Sequence, residues 1–257
     1  MLIDSHCHLD HFSAEEQAAL VERAAAAGVA RMVTIGTHLA QAAEVKAIAS
    51  RFDVVWGTVG VHPQRAGDGD LPSVEELVAL ADHPRIIGLG ESGLDYFYDK
   101  APRDVQQEGF RRHIRAARQA ALPLCIHARD ADDDVAAILA EERAGGAFAF
   151  LLHCFSSTPA LADAAVAMGG YVSFSGILTF PKSHALRELA ARLPEDRLLV
   201  ETDSPYLAPV PVRGKRCEPA YTAHTAGVLG QCRGLGPQEI AGITTANFFR
   251  LYAKAGP

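Results

Sequence analysis

The sequence has no uninterrupted apolar run long enough to cross a bilayer, and no positively charged leader followed by an apolar segment. It therefore reads as a soluble, cytoplasmic chain with no membrane partner. It also has no Cys-x-x-Cys pair. Its five cysteines, Cys7, Cys125, Cys154, Cys217 and Cys232, are odd in number and scattered. That spacing argues against a disulfide framework and against a structural zinc finger, and it fits a reducing compartment. The simplest reading of these cysteines is as small buried hydrophobes. An excess of positive charge is missing too: the net charge is −7. A broad basic face of the kind that coats duplex DNA is thereby excluded. Any polyanion must be held by a local patch together with metal ions, and Arg213-Gly214-Lys215-Arg216 is the obvious patch. No Gly-rich phosphate loop follows the first apolar run, which argues against an open dinucleotide-binding sheet. There is no repeat, low-complexity tract or linker.

What is present is a regular alternation of β-branched runs with Ala-rich helical stretches. Strands are expected at 2–6, 31–35, 54–59, 86–90, 124–126, 148–152, 171–174 and 197–200. Helices are expected near 14–27, 38–51, 73–81, 103–121, 132–143, 159–168 and 183–192, with two more at 219–231 and 237–252. Each strand followed by a crossover helix implies parallel pairing. Eight such units in 257 residues are most economically closed into an α/β barrel of the (β/α)8 TIM type, a single domain over 1–257.

In such barrels the chemistry stands at the carboxyl ends of the strands. Strand one ends in His6 and His8, whose side chains share a face while Cys7 points the other way. Strand four ends in Glu91, strand five in His127, strand six in His153 and strand eight in Asp203. Each is weak alone, but as a set they converge. Six nitrogen and oxygen donors without thiolate suit zinc, manganese or magnesium. They are too many for one tetrahedral ion with an open position. They fit two divalent ions about 3.5–4 Å apart that activate a water, with Glu91 as bridge and Asp203 as final ligand and proton acceptor. The reaction class implied is hydrolysis.

Around these ligands the readings stay open. Arg129 shares a face with His127 and either clamps a phosphate or pairs with Asp130 or Asp132. His62, held by Pro63, donates to a substrate oxygen or is structural. Glu201 tunes the site or is a buried paired carboxylate. Asp95 caps or orients the loop carrying Glu91. Tyr96, Phe97, Tyr98 and Tyr206 stack on bases or pack in loops. His11, His38, His83, His113, His184 and His224 follow no strand-end rule and are taken as surface or core residues. Arg111, Arg112, Arg115 and Arg118 are read as a solvated helix face. Asp132, Asp133 and Asp134 are read as acids at a helix start.

Several stretches together resemble the TatD family of metal-dependent deoxyribonucleases. They are IDSHCHLD at 3–10, GVHPQ at 60–64, GLGESGLDYFYD at 88–99, LPLCIHARDA at 122–131, LLHCFSS at 151–157, GYVSFSGILTF at 170–180, LLVETDSPYLAPVPVRGKRCEPAY at 198–221 and TTANFFRLY at 244–252. The resemblance runs end to end and implies the same barrel and the same six metal ligands. It further implies degradation of DNA, as a 3′-to-5′ exonuclease on single strands. Lys215 and Arg216, with His62, Arg129 and Glu201, are then the expected substrate contacts, and Asp203 and Glu91 the catalytic residues. The chain departs from the family pattern at Cys217, where Asn is usual, and at Ser157, where Gly is usual. The rival expectation is an amidohydrolase-like enzyme acting on a small ester, lactone or amide. A monomer is expected.

Overall fold

Alternation of short apolar strands and amphipathic helices leaves the chain one way to bury both kinds of surface, and the computed structural model, describing residues 1–256, takes it. The order is β1 Leu2–Cys7, α1 Ala14–Ala26, β2 Val29–Thr34, α2 Ala42–Arg51, β3 Val55–Val59, α3 Val74–Ala81, β4 Ile86–Asp95 and α4 Arg103–Ala120. It continues with β5 Leu124–Arg129, α5 Asp132–Ala144, β6 Phe150–Leu152, α6 Pro159–Ala167, β7 Tyr171–Phe174, α7 His184–Arg192, β8 Leu198–Val200, α8 Thr222–Arg233 and α9 Pro237–Leu251. The strands pair in sequence order, all parallel, as the expected barrel requires. Helix starts follow local chemistry. Ser13 with Glu16, and Ser73 with Glu76, form reciprocal capping boxes at α1 and α3.

Closure of the barrel is made just beyond β8. The Asp203 N–H donates to the His6 carbonyl at 2.9 Å, and the His8 N–H donates to the Ser204 carbonyl at 2.8 Å. Beneath this join, buried Asp4 accepts from the Thr202 hydroxyl at 2.5 Å and the Thr202 N–H at 2.9 Å. Burial pushes the Asp4 carboxyl up to about 8 despite those donors.

Each strand sends one large side chain to a central layer: Ile3, Val33, Trp56, Ile87, Cys125, Leu151, Tyr171 and Leu199. From below, α9 plugs this layer with Phe248, Leu251 and Tyr252. The alternate strand residues, such as Leu2, Met32, Leu89 and Phe174, face the helices in the outer core. The interior is thus apolar at its floor and polar at its top, where the strands end.

Four expected boundaries are corrected. β4 runs to Asp95 and β5 to Arg129, because the two stay paired from Leu124 through Arg129; Glu91, Asp95, His127 and Arg129 are therefore strand residues, not loop residues. The expected helices at 38–51 and 219–231 begin with 3-10 turns, Leu39–Gln41 and Pro219–Tyr221. The α4 arginines stand on a part-exposed face, as expected, but they are paired: Arg111 meets Glu141 at 2.7 Å, and Arg115 and Arg118 both reach Glu142, tying α4 to α5. Asp132 likewise accepts from Thr158 at the start of α6. No described helix is long and apolar enough to cross a membrane, and all five cysteines are free.

If α9 is the floor of the barrel, Phe248→Ala should lower unfolding stability by about 3–5 kcal/mol, the usual loss for a buried aromatic. Urea denaturation measures it, and a loss below about 1 kcal/mol would show that α9 is not a packed plug.

Candidate metal centre

The position of the first two histidines depends on a slip in strand register. Asp4 pairs with Met32 but Cys7 pairs with Thr34, so β1 carries one residue more than β2 over this step. Continued alternation from inward-facing Ile3 would turn Cys7 inward and both histidines outward. The extra residue reverses the phase. Ser5 still faces in, within 3.0 Å of the Ser173 hydroxyl across the barrel. Cys7 faces out toward the Val33 carbonyl. His6 and His8 are left pointing to the barrel axis. On β4, Gly90 has φ +101, and a Cβ there would lie 2.5 Å from the Cys125 carbonyl. Only glycine lets β4 come this close to β5, which sets Glu91 beside His127.

Glu91 sits at the middle of the cluster. Its Oε2 is 3.3 Å from His6 Nε2 and 3.9 Å from His8 Nε2. Its Oε1 is 2.8 Å from His153 Nε2, 3.0 Å from His127 Nδ1 and 3.3 Å from His62 Nε2. Asp203 Oδ1 completes the first group at 3.5 Å from His6 Nε2 and 3.3 Å from His8 Nε2. The structure thus brings together all six expected ligands. It also adds His62, which joins Glu91 and His127 within ligating distance of one another.

The donor set fits a divalent cation. His6 Nε2 and His8 Nε2 face each other at 3.2 Å, with carboxylate oxygens directed at the same space. Lone pairs crowded this way are relieved by a shared positive charge. The donors of the cluster are nitrogen and oxygen: Cys125 touches His6 on the opposite ring nitrogen at 3.3 Å, and Cys154, which lines the cavity, lies 3.1 Å from the Ser175 hydroxyl. Two histidines are also backed by carboxylates, as metal-binding imidazoles usually are. Glu201 Oε1 is 3.3 Å from His153 Nδ1, and Asp95 Oδ2 is 3.3 Å from His127 Nε2.

The electrostatics follow from this packing. Burial alone would raise Glu91, but His153 and His62, with hydrogen bonds from His127 and His153, hold it well below the usual carboxylate range. Asp203 is held low against burial by His8 and His6. Burial opposes protonation of His153, yet Glu91 and Glu201 push it well above its ordinary value. His62 is lowered by burial, which outweighs Glu91. Its Nδ1 accepts from the Gln64 N–H at 3.1 Å, so the neutral ring carries its hydrogen on Nε2.

Above the cluster lies an open cavity of about 1030 Å³, lined at its floor by His8, His62, Glu91, His127, His153 and Asp203. Arg129 lines it and pairs with neither Asp130 nor Asp132; its guanidinium stacks on Phe97 at 4.0 Å and Tyr98 at 4.8 Å. Other expectations are corrected. Glu201 is fully buried behind His153 and also accepts from the Cys154 N–H at 2.7 Å, so it supports the cluster and touches no substrate. Lys215 and Arg216 do not line the cavity. Arg216 pairs with Glu16 at 2.9 Å, bonds the His11 carbonyl and covers Phe12. Asp95 orients the His127 ring and also caps the turn after β4, accepting from the Tyr98 N–H at 3.0 Å and from Gln64 at 2.7 Å. Burial opposes its ionisation, but His127, Tyr98 and Gln64 outweigh that and hold it low. Tyr96 is packing, donating to Asp134 at 2.7 Å.

Sequence reasoning missed several residues. His11 lines the cavity beside His8 and Tyr206. Arg65 and Lys100 stand at its rim. Had β4 been continued past Gly90, period-two alternation would have put Asp95 on the face of Glu91. His113 gave no such signal, yet its Nε2 accepts from the Val61 N–H at 3.0 Å and anchors the loop that carries His62.

The chain is similar to proteins named as nucleases and metal-dependent hydrolases. A family model described as TatD related DNase matches residues 3–253. The chain is 41% identical to the uncharacterized metal-dependent hydrolase YcfH of Escherichia coli K12, covering 98% of this chain and 95% of that one. It is 33% identical to the 3′-5′ ssDNA/RNA exonuclease TatD of Citrobacter koseri, over 92% of each chain. The crystal structure of YJJV, a TatD homolog from Escherichia coli K12, superposes with a TM-score of 0.90 at 28% identity, covering 98% of both chains.

The His113 anchor has a pH signature. Burial pushes its imidazole down to about 4, against the raising effect of its hydrogen bond to the Gly109 carbonyl. An unfolded histidine titrates near ~6.5. Between these values the unfolded chain binds more protons, so this stabilisation is complete above the unfolded value and is lost as pH falls toward the folded one. The loss amounts to ~3 kcal/mol. Imidazole nitrogen spectra at pH 5.5 should still show His113 neutral with its hydrogen on Nδ1. A midpoint near 6.5 would rule out the anchor.

Proposed function

The chain belongs to the family of TatD-related DNases, and on that premise we propose that it hydrolyses phosphodiester bonds of single-stranded DNA as a metal-dependent 3′-to-5′ exonuclease. The broader class, a metal-dependent hydrolase acting on ester bonds, follows from the family and its relatives. The observation that carries the finer reading is the division of Glu91: one oxygen faces His6 and His8, the other faces His127 and His153. A carboxylate so placed suits two divalent ions, zinc, manganese or magnesium, with Asp203 completing the first set. Bound there, such ions would lower the pKa of a water and would stabilise negative charge developing at phosphorus.

The chain's own residues do the rest. Asp203, held ionised and facing the cavity, takes the proton of the attacking water. Glu91, also held ionised, keeps the two histidine groups at a fixed separation. Neutral His62 donates its Nε2–H toward Glu91 Oε1, 3.3 Å away, and so helps keep that carboxylate ionised. Arg129 holds phosphate through donors that no protein carboxylate occupies. A small neutral ester, lactone or amide would leave that guanidinium without a partner, which is why the amidohydrolase alternative is set below the nuclease. The enzyme is read as a cytoplasmic monomer, in keeping with its five free cysteines.

A 5′-labelled single-stranded oligonucleotide, incubated with metal-stripped protein resupplied with magnesium, manganese or zinc, should give a ladder shortening from its 3′ end. Glu91→Ala should lower turnover by at least about a thousandfold while the circular dichroism of the barrel is kept. Undiminished cleavage by a folded, metal-loaded Glu91→Ala protein would reject the proposed centre.

A further inference from the structure

Large apolar side chains rarely stand in water without a reason when they gather at one place. The exposed ones here are Met1, Phe97, Tyr98, Tyr206 and Val210; Tyr98 and Tyr206 line the cavity, and Phe97 lies outside that lining but against Tyr98 and Arg129. Tyr206 is engaged, its hydroxyl 3.3 Å from His11 Nδ1. Phe97 and Tyr98 are not: they meet each other edge to face at 5.0 Å and leave 55% and 51% of their surfaces exposed.

Arg129 makes this pair more than loop packing. It projects from β5 two residues past His127, so rigid strand backbone fixes its height above the metal cluster. Its guanidinium lies over Phe97 at 4.0 Å and Tyr98 at 4.8 Å. Among the described residues it has no hydrogen-bond acceptor and no carboxylate in ion-pair range. A guanidinium stacked through its face keeps its N–H edge free, and that edge matches two oxygens of a phosphate. Lys100, on the same loop as the two aromatics, adds a second cation at the rim, 5.7 Å from the Tyr98 ring.

We propose that Phe97 and Tyr98 form a stacking shelf for a nucleobase, and that Arg129 grips the phosphate next to that base, so that the site selects an unpaired strand. The inference rests on the nuclease reading and deepens it. Inside a duplex both faces of each base are covered by neighbours, so away from the terminal pair a protein ring finds a free base face only in a single strand. Stacking also ignores base identity, because every base has a π-face. The shelf therefore gives strand preference without sequence preference, and it needs no broad basic surface.

The test uses the metal-loaded protein and a fluorescent phosphorothioate oligothymidylate, with binding read by anisotropy, alongside steady-state cleavage of the ordinary oligonucleotide. Phe97→Leu should weaken binding and raise KM about tenfold with kcat kept, the usual size of one lost base stack. Phe97→Tyr should restore wild-type values. An abasic strand should bind wild type and Phe97→Leu alike. Arg129→Met should weaken binding and lower the salt dependence by about one ion. If wild type cleaves the oligonucleotide while Phe97→Leu and Arg129→Met match its KM, the shelf is surface packing and the inference is overturned. If wild type, shown to hold metal, neither binds nor cleaves, the nuclease reading itself fails and the shelf falls with it. The wild-type ladder separates the two failures.

Discussion

Two backbone hydrogen bonds, from Asp203 to His6 and from His8 to Ser204, both close the barrel and assemble half of the metal centre. Parallel strands must meet edge to edge to leave no unpaired backbone. Here the last meeting is between the segment that carries the first two histidines and the segment that carries the last carboxylate. The buried clasp of Asp4 on Thr202 holds the same join from below. Fold closure and ligand geometry are therefore one constraint. A shift that separated Asp203 from His8 would also open the sheet.

The second constraint is strand phase. A barrel has one interior, and it must be apolar below and polar above. The floor is met by one side chain per strand over the α9 plug. The roof requires imidazoles and carboxylates at the next inward positions, and strict alternation from Ile3 would put Cys7 there instead. One extra residue in β1 resolves the conflict. Gly90 does comparable service on β4, where any side chain would meet the Cys125 carbonyl. These irregularities lie at the boundary between packing and chemistry, where local rules are expected to yield.

This explains how much was legible in the sequence. Strand identity, parallel order and the clustering of the six inward nitrogen and oxygen donors were readable, because each donor closes an apolar run. The lengths of β4 and β5 were not. Gly90 and Gly93 resemble terminators, and only pairing with a neighbour reveals that the strand continues through them. The partners of Asp95, Glu201 and His113 were hidden for a related reason. Each acts through a residue distant in sequence, and nothing in the local pattern names that residue. The 213–216 patch misled because a run of cations looks free until its acceptors are known. Arg216 is committed to Glu16, and Arg213 lies over Phe180 at 4.2 Å.

With that patch outside the cavity lining, the question of how an acidic protein holds a polyanion has a narrower answer. A chain of net charge −7 repels DNA at long range, so attraction must be short-range and confined to the cavity. The centre itself concentrates two carboxylates, and their charge must be overcome by the cations the site recruits. Arg129, poised on strand β5 without a carboxylate partner, then acts where the field has already changed sign. On the nuclease reading, Arg65 and Lys100, which also line the cavity, extend that positive charge outward from Arg129.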